Sequence, residues 1–240
     1  MIKSVTIIGG GNVATHLCIA LAGRVDELIN ISSRELEDLP LDSDIYIIAV
    51  SDKAIAEVAA AMPGVLGIVA HTAGSVGMDV LSAHFKRAGV FYPLQTFTKG
   101  SDLDYSEIPV FVEGTDPSVE GELSGLASLF TTHIMKADSA RREKLHIASV
   151  FACNFTNHLW SVADKMLQED GLGIEVLMPL IGATVEKLKH LTPHEAQTGP
   201  AVRKDMNVID RHLEKLADSR YLDIYRLLSK AIIEDKNECD

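Results

Sequence analysis

Short β-branched runs alternate with helical patterns through the first half of the chain. Val5–Ile8 is a continuous apolar run of strand length, and Asn12–Ala22 gathers its apolar residues on one helical face. Glu27–Ser33 and Asp44–Val50 predict a second and a third strand. Ala54–Met62 predicts an Ala-rich helix closed by Pro63-Gly64, and Leu66–Ala70 a fourth strand. Further strands are predicted at Val90–Tyr92, Pro109–Glu113 and His133–Lys136, with a helix over Glu120–Thr131. Such alternation implies a mainly parallel α/β sheet covered on both faces.

From Ser139 to Asp235 the helical period takes over. Ser139–Glu169 predicts one long helix, broken by Gly171 and Gly173, and Ile174–Leu191 predicts the next. A loop with Thr192-Pro193 and Thr198-Gly199-Pro200 comes after it, then helices over Ala201–Ala217 and Arg220–Glu234. The expected organisation is an α/β domain over 1–138 and an all-α domain over 139–240.

One connection is short. Between Arg34 and Asp44 only about ten residues are available, reaching roughly 33 Å when extended. A doubly wound half normally places a helix and a strand there. Without them one sheet face would lie uncovered. Either the unit is lost or a mobile segment is not represented in this sequence; the second is the expectation.

The glycine-rich turn Gly9-Gly10-Gly11-Asn12-Val13-Ala14 comes after a strand and opens a helix. That context makes the sheet Rossmann-type and the turn a dinucleotide fingerprint. Gly9 permits the turn, Gly11 lets backbone approach a pyrophosphate, and Ala14 allows close helix–strand contact. The free amides of Asn12 and Val13 and the helix dipole then attract the phosphates. The second strand ends in Ser32-Ser33-Arg34 with no acid at its tip. Ser33 can hydrogen-bond a ribose 2′-phosphate and Arg34 can pair with it, which favours NADP over NAD. Val50 and Ser51, after the third strand, are expected to line the cofactor.

Candidate chemistry sits at the next strand ends. His71, in His71-Thr72-Ala73-Gly74-Ser75, is placed to approach a nicotinamide or its substrate as a general acid. Tyr92-Pro93-Leu94-Gln95-Thr96-Phe97 forms another strand-end loop, in which Gln95 and Thr96 are candidates to orient a polar substrate. On the long helix, His146 and Asn157 share one face, and Asn154 and His158 an adjoining one. Asn in mid-helix asks for a reason, either a polar stripe toward the cofactor or helix–helix hydrogen bonding. Pro200 suits a first helical position, beside which Arg203 could meet an anionic group.

Composition narrows the partners. The 240 residues are 47% hydrophobic and 23% charged, with a formal net charge of -12. A nucleic-acid partner needs a basic face and an anionic membrane attracts one, so both are disfavoured. No apolar run reaches the roughly 18 residues that span a bilayer. Met1–Ile8 enters a strand pattern directly, without the marks of a signal peptide. Cys18, Cys153 and Cys239 are scattered, with no metal-ligand spacing. A cytoplasmic protein with reduced thiols and no metal is expected.

Together the glycine turn, His71–Ser75, Tyr92–Phe97, His146 through Asn154 and Thr198–Arg203 resemble a family that joins a Rossmann-like NADP domain to a C-terminal helical domain of uncharacterised function. That family is similar to pyrroline-5-carboxylate reductase, the deazaflavin-linked NADP reductases and the 6-phosphogluconate dehydrogenase superfamily. The resemblance implies an NADP-dependent oxidoreductase, a homodimer built through the helical domains, and a cleft between domains for a small polar substrate. Hydroxyacid dehydrogenases of that superfamily carry Lys and Asn four residues apart on the long helix. Here Lys144 is followed by Ala148, and Val150 precedes Asn154. The pair is missing, which turns the expectation toward imine or ketone reduction with His71, His146 and Asn154 as the candidate catalytic residues. The alternative is a non-catalytic NADP(H) sensor.

Overall fold

The computed structural model describes residues 2–239, apart from the side chains of 238 and 239, so Met1 and the Cys239 thiol lie outside the described residues. The chain divides into two compact units, Met1–Asn154 and Phe155–Asp240.

The first unit is built on one seven-stranded sheet. In chain order it runs β1 (Ser4–Ile8), α1 (Asn12–Leu21), β2 (Glu27–Ile31), β3 (Ile45–Ile48), α2 (Ile55–Ala61), β4 (Ile68–His71), α3 (Asp79–Ser82), β5 (Ala88–Pro93), β6 (Val110–Gly114), α4 (Pro117–Ala127), β7 (Ile134–Lys136) and α5 (Ser139–Ser149). The spatial order is β2-β1-β3-β4-β5-β6-β7. The first five strands in space are parallel. β6 runs antiparallel to β5, and β7 runs parallel to β6.

Because side chains alternate across a strand, each central strand feeds two cores. Val5, Ile7, Ile45, Ile47, Ile68 and Ala70 point to the face covered by α1 and α4. Ile8, Tyr46, Ile48 and Val69 point to the face covered by α2 and α3. Burial on both faces is why these strands read as unbroken apolar runs.

The short connection after Arg34 holds a single 3-10 turn, Leu36–Asp38, in place of a helix and a strand. β3 pairs directly with β1, so β2 forms the sheet edge. Leu39 is buried and Leu36 partly buried in the core on the α2 and α3 face, so this face is not bare beside the short connection.

The predicted long helix is also modified. α5 passes into a π stretch, Val150–Phe155, before α6 (Thr156–Gln168). Residues 139–168 are therefore not one regular α-helix.

The second unit continues from α6 with a 3-10 turn at Ile174–Leu177, α7 (Met178–Lys187), α8 (Pro193–Ala196), α9 (Met206–Lys215) and α10 (Leu222–Cys239). The Ile174 amide donates to Asp164 Oδ1 at 2.9 Å and closes the turn after α6. Thr192 and Glu195 form a capping box on α8. His212 and Tyr225 join α9 to α10 through a 2.7 Å hydrogen bond. Pro200 does not start a helix. α9 begins at Met206 with Asp205 as its cap, the carboxylate accepting from the Val208 amide. Residues 201–204 form a turn that ends with Lys204 at φ 54°, and this keeps Arg203 off the helix N-terminus.

Among the described residues no helix is long and apolar enough to cross a membrane, and no group of three His, Cys, Asp or Glu could hold a metal. Cys18 and Cys153 are free thiols.

Candidate cofactor and active site

The parallel strands deliver their carboxyl ends to one edge of the sheet, where ligands of such folds bind. At the end of β1, Gly9 takes φ 135°, a conformation that favours glycine. A Cβ there would run into the Ala49 carbonyl oxygen. The Gly9 amide donates to Ile31 O at 2.9 Å, and Asn30 Nδ2 donates to Ile7 O (3.0 Å) and Gly9 O (2.8 Å). The tip of β2 thus latches the turn in place.

Around Gly10 and Gly11 there is open space, with no heavy atom within 4 Å of where a Cβ would stand. Gly11 is the N-cap of α1 and supplies no side-chain cap. The first-turn amides of α1 therefore face outward without a side-chain acceptor, an arrangement suited to a diphosphate.

A cavity of about 390 Å3 lies on this turn, lined by Gly9, Gly11, Asn12, Val13, Ser33, Val50 and Ser51 among others. Seven residues singled out from the sequence therefore come together. Ser33 also lines an adjoining cavity with Arg34, Leu36 and Glu37. Ser32 lines neither; its hydroxyl accepts the Arg34 amide at 3.2 Å and shapes the turn. The glycines and open amides fit a dinucleotide, and the Ser33-Arg34 side fits its ribose end.

Farther along the edge, His71 departs from the expected role. Its ring is fully buried. The Ala73 amide donates to Nδ1 at 3.2 Å, which leaves the proton on Nε2, facing Gly77 O at 3.4 Å. Burial, reinforced by the Arg142 charge, lowers its pKa to about 4. The ring is neutral near pH 7 and both nitrogens are engaged by backbone. It organises the loop after β4 and has no free proton to donate.

Tyr92, at the end of β5, is a site residue that the sequence pattern does not single out. It is only 9% exposed, and its hydroxyl lies 3.4 Å from His146 Nδ1 on α5. A Cβ at Gly74 would stand 2.7 Å from Tyr92 Cζ, so the small residue after His71 makes room for the phenol. Burial raises the Tyr92 pKa, and the Asp52 carboxylate adds to the rise. Asp52 itself, after β3, accepts from the Ser75 hydroxyl. Gln95 turns inward on its own loop, Oε1 accepting from the Thr96 amide at 2.8 Å. Asn154 stands exposed in the π stretch and makes no described side-chain hydrogen bond.

Arg142, one turn before His146 on α5, is fully buried. It pairs with Glu113 on β6, and it donates to Val76 O at 2.9 Å and Ala137 O at 3.2 Å. It thereby ties α5, and His146 with it, to the loop that carries His71 and Gly74.

Residues 108–232 match the domain of unknown function DUF2520, which covers just over half of the chain. The chain belongs to the DUF2520 family. A Bacteroides fragilis protein provisionally named an NADP oxidoreductase is 36% identical over 97% of this chain and 98% of its own, with a TM-score of 0.88. That likeness also takes in the glycine turn, which lies outside the DUF2520 match. Two solved structures share the fold at low identity. 1-Pyrroline-5-carboxylate reductase from Streptococcus pyogenes is 12% identical over 98% of both chains, with a TM-score of 0.61. A reductive aminase from Aspergillus terreus, in complex with NADPH and ethyl levulinate, is 11% identical over 99% of this chain and 95% of that one, with a TM-score of 0.66. No curated protein matches this DUF2520 chain.

Proposed function

We propose that this protein is an NADP(H)-dependent oxidoreductase acting on a small polar imine or ketone. The observation that carries the reading is the glycine turn: an uncapped helix N-terminus beside open glycines, with Ser33 and Arg34 at the tip of the next strand. The naming of the 36%-identical Bacteroides fragilis protein supports it.

Gly9, Gly10, Gly11, Asn12 and Val13 would hold the diphosphate on backbone amides. Ser33 and Arg34 would bind the 2′-phosphate, while Val50 and Ser51 line the path toward the reacting end. A nicotinamide dinucleotide, when bound, supplies the hydride. The chain then supplies orientation, exclusion of water and a proton. Tyr92 is the proton source in this reading: its raised pKa keeps the phenol protonated near neutral pH. The phenol gives its proton to the substrate nitrogen or oxygen, and His146, 3.4 Å away, returns one to the phenolate.

The rival reading is a non-catalytic NADP(H) sensor. It is favoured by the engagement of both His71 nitrogens with backbone. NADPH oxidation in a screen of imines and ketones, lost in Tyr92→Phe with cofactor affinity intact, decides for the enzyme.

Self-association through the helical unit belongs to the same proposal. Leu180, Val185, Leu188 and Leu227 there are each at least half exposed, apolar surface that a second copy would cover. The primary test is titration with NADPH and NADH. Binding of NADPH in clear preference supports the reading, and binding of neither dinucleotide rejects it.

A further inference from the structure

After β5 the chain does not leave the site directly. Residues 97–101 turn back toward the start of α1. Asn12 Nδ2 donates to Phe97 O at 2.8 Å, and His16 Nε2 meets Thr98 O at 2.8 Å. The His16 ring lies 5.1 Å from the Phe97 ring, centroid to centroid, and His16 Nδ1 is 2.8 Å from the Tyr105 hydroxyl. His16 is itself buried, so this segment rests on a fixed post. Gly100, at φ 83°, closes the turn, and the Ser101 amide and hydroxyl both donate to Thr98 O.

The consequence is the position of Lys99. Its Nζ donates to Gly10 O at 2.8 Å, at the centre of the glycine turn. Among the described residues no carboxylate lies within 4.0 Å of that ammonium. An ammonium has three donors, and one carbonyl occupies only one of them. A protein of net charge -12 thus holds an unneutralised cation against a helix N-terminus that is already positive.

We propose that Lys99 is a ligand of the cofactor diphosphate, carried to the glycine turn by the segment pinned to Asn12 and His16. The inference rests on the dinucleotide reading above and adds a residue outside the fingerprint. On binding, the ammonium exchanges the Gly10 carbonyl for a phosphate oxygen, and the first-turn amides of α1 take the remaining oxygens. The class of ligand is a dinucleotide diphosphate. A ligand bearing only a 2′-phosphate gains nothing from Lys99.

The test is calorimetric titration of wild type, Lys99→Met and Lys99→Arg with NADPH and with adenosine 2′-monophosphate, at low and high salt. Lys99→Met is expected to weaken NADPH between about ten- and a hundredfold, the range of one charge-assisted hydrogen bond. Its salt dependence should become shallower, Lys99→Arg should recover most of the affinity, and adenosine 2′-monophosphate should bind wild type and variants alike. Lys99 is exposed, so the thermal midpoint serves as a check that each variant folds. NADPH affinity within twofold of wild type in Lys99→Met overturns the inference and leaves the cofactor reading standing. Equal loss for both ligands also overturns it, since Lys99 would then act on the fold. If wild type binds no dinucleotide, the cofactor reading falls and takes this inference with it.

Discussion

At Tyr92 a phenol is enclosed by its own strand end, by Gly74 and by His146, and burial keeps its proton on. Tyr92→Phe removes the hydroxyl without altering the ring. Turnover should fall between about a hundred- and ten-thousandfold, the usual worth of a positioned general acid. NADPH affinity should stay within about twofold, as measured by titration. His71 makes a different prediction, because its pKa is depressed in the folded state. Below pH 6.5 the unfolded chain takes up a proton that the folded ring refuses until about pH 4. Stability therefore rises with pH across that window and is fully present above it. The change amounts to about 3 kcal/mol. Urea midpoints measured from pH 4 to pH 7 should track this slope, and His71→Asn should flatten it. Sequence could place both residues at strand ends but could not rank them. The ranking depends on which ring nitrogens meet backbone and on what fills the space above Gly74.

Among elements, α5 is held by one buried charge pair. Arg142 is fully buried and its Nε has no hydrogen-bond partner, while Glu113 keeps 16% of its side chain exposed. Removing Glu113 strands a cation in the interior, a loss of about 3–5 kcal/mol. Glu113→Leu should therefore cost more in denaturant midpoint than Arg142→Met, and the double variant should recover much of the loss. The elements themselves were largely legible: unbroken β-branched runs mark strands buried on both faces, and the glycine turn marks the entry to α1. Three features were not. The turn at Leu36–Asp38 and the residue after it add Leu36 and Leu39 to the core on the α2 and α3 face, too short a pattern to register as an element. The π stretch at Val150–Phe155 has the same apolar spacing as an ordinary helix. Asp205, not Pro200, caps α9, because the chain turns once more through residues 201–204.

For the whole molecule, the chain belongs to the DUF2520 family and has a Rossmann-type fold, a fold shared with a reductive aminase solved in complex with NADPH. The exposed leucines and valines of the helical unit predict a dimer in solution, to be read as about twice the 26.0 kDa chain mass by light scattering after gel filtration. Replacing Leu180 and Leu227 together with Glu should shift that mass toward the monomer. The central claim is that the glycine turn and the Ser33-Arg34 tip form an NADP site. It is tested most directly by titrating wild type and Arg34→Ala with NADPH and NADH. The account predicts that wild type binds NADPH at least about tenfold more tightly than NADH, one charge-assisted contact being worth that much, and that Arg34→Ala erases the difference. Equal binding of the two by wild type, or an unchanged preference in Arg34→Ala, would contradict it.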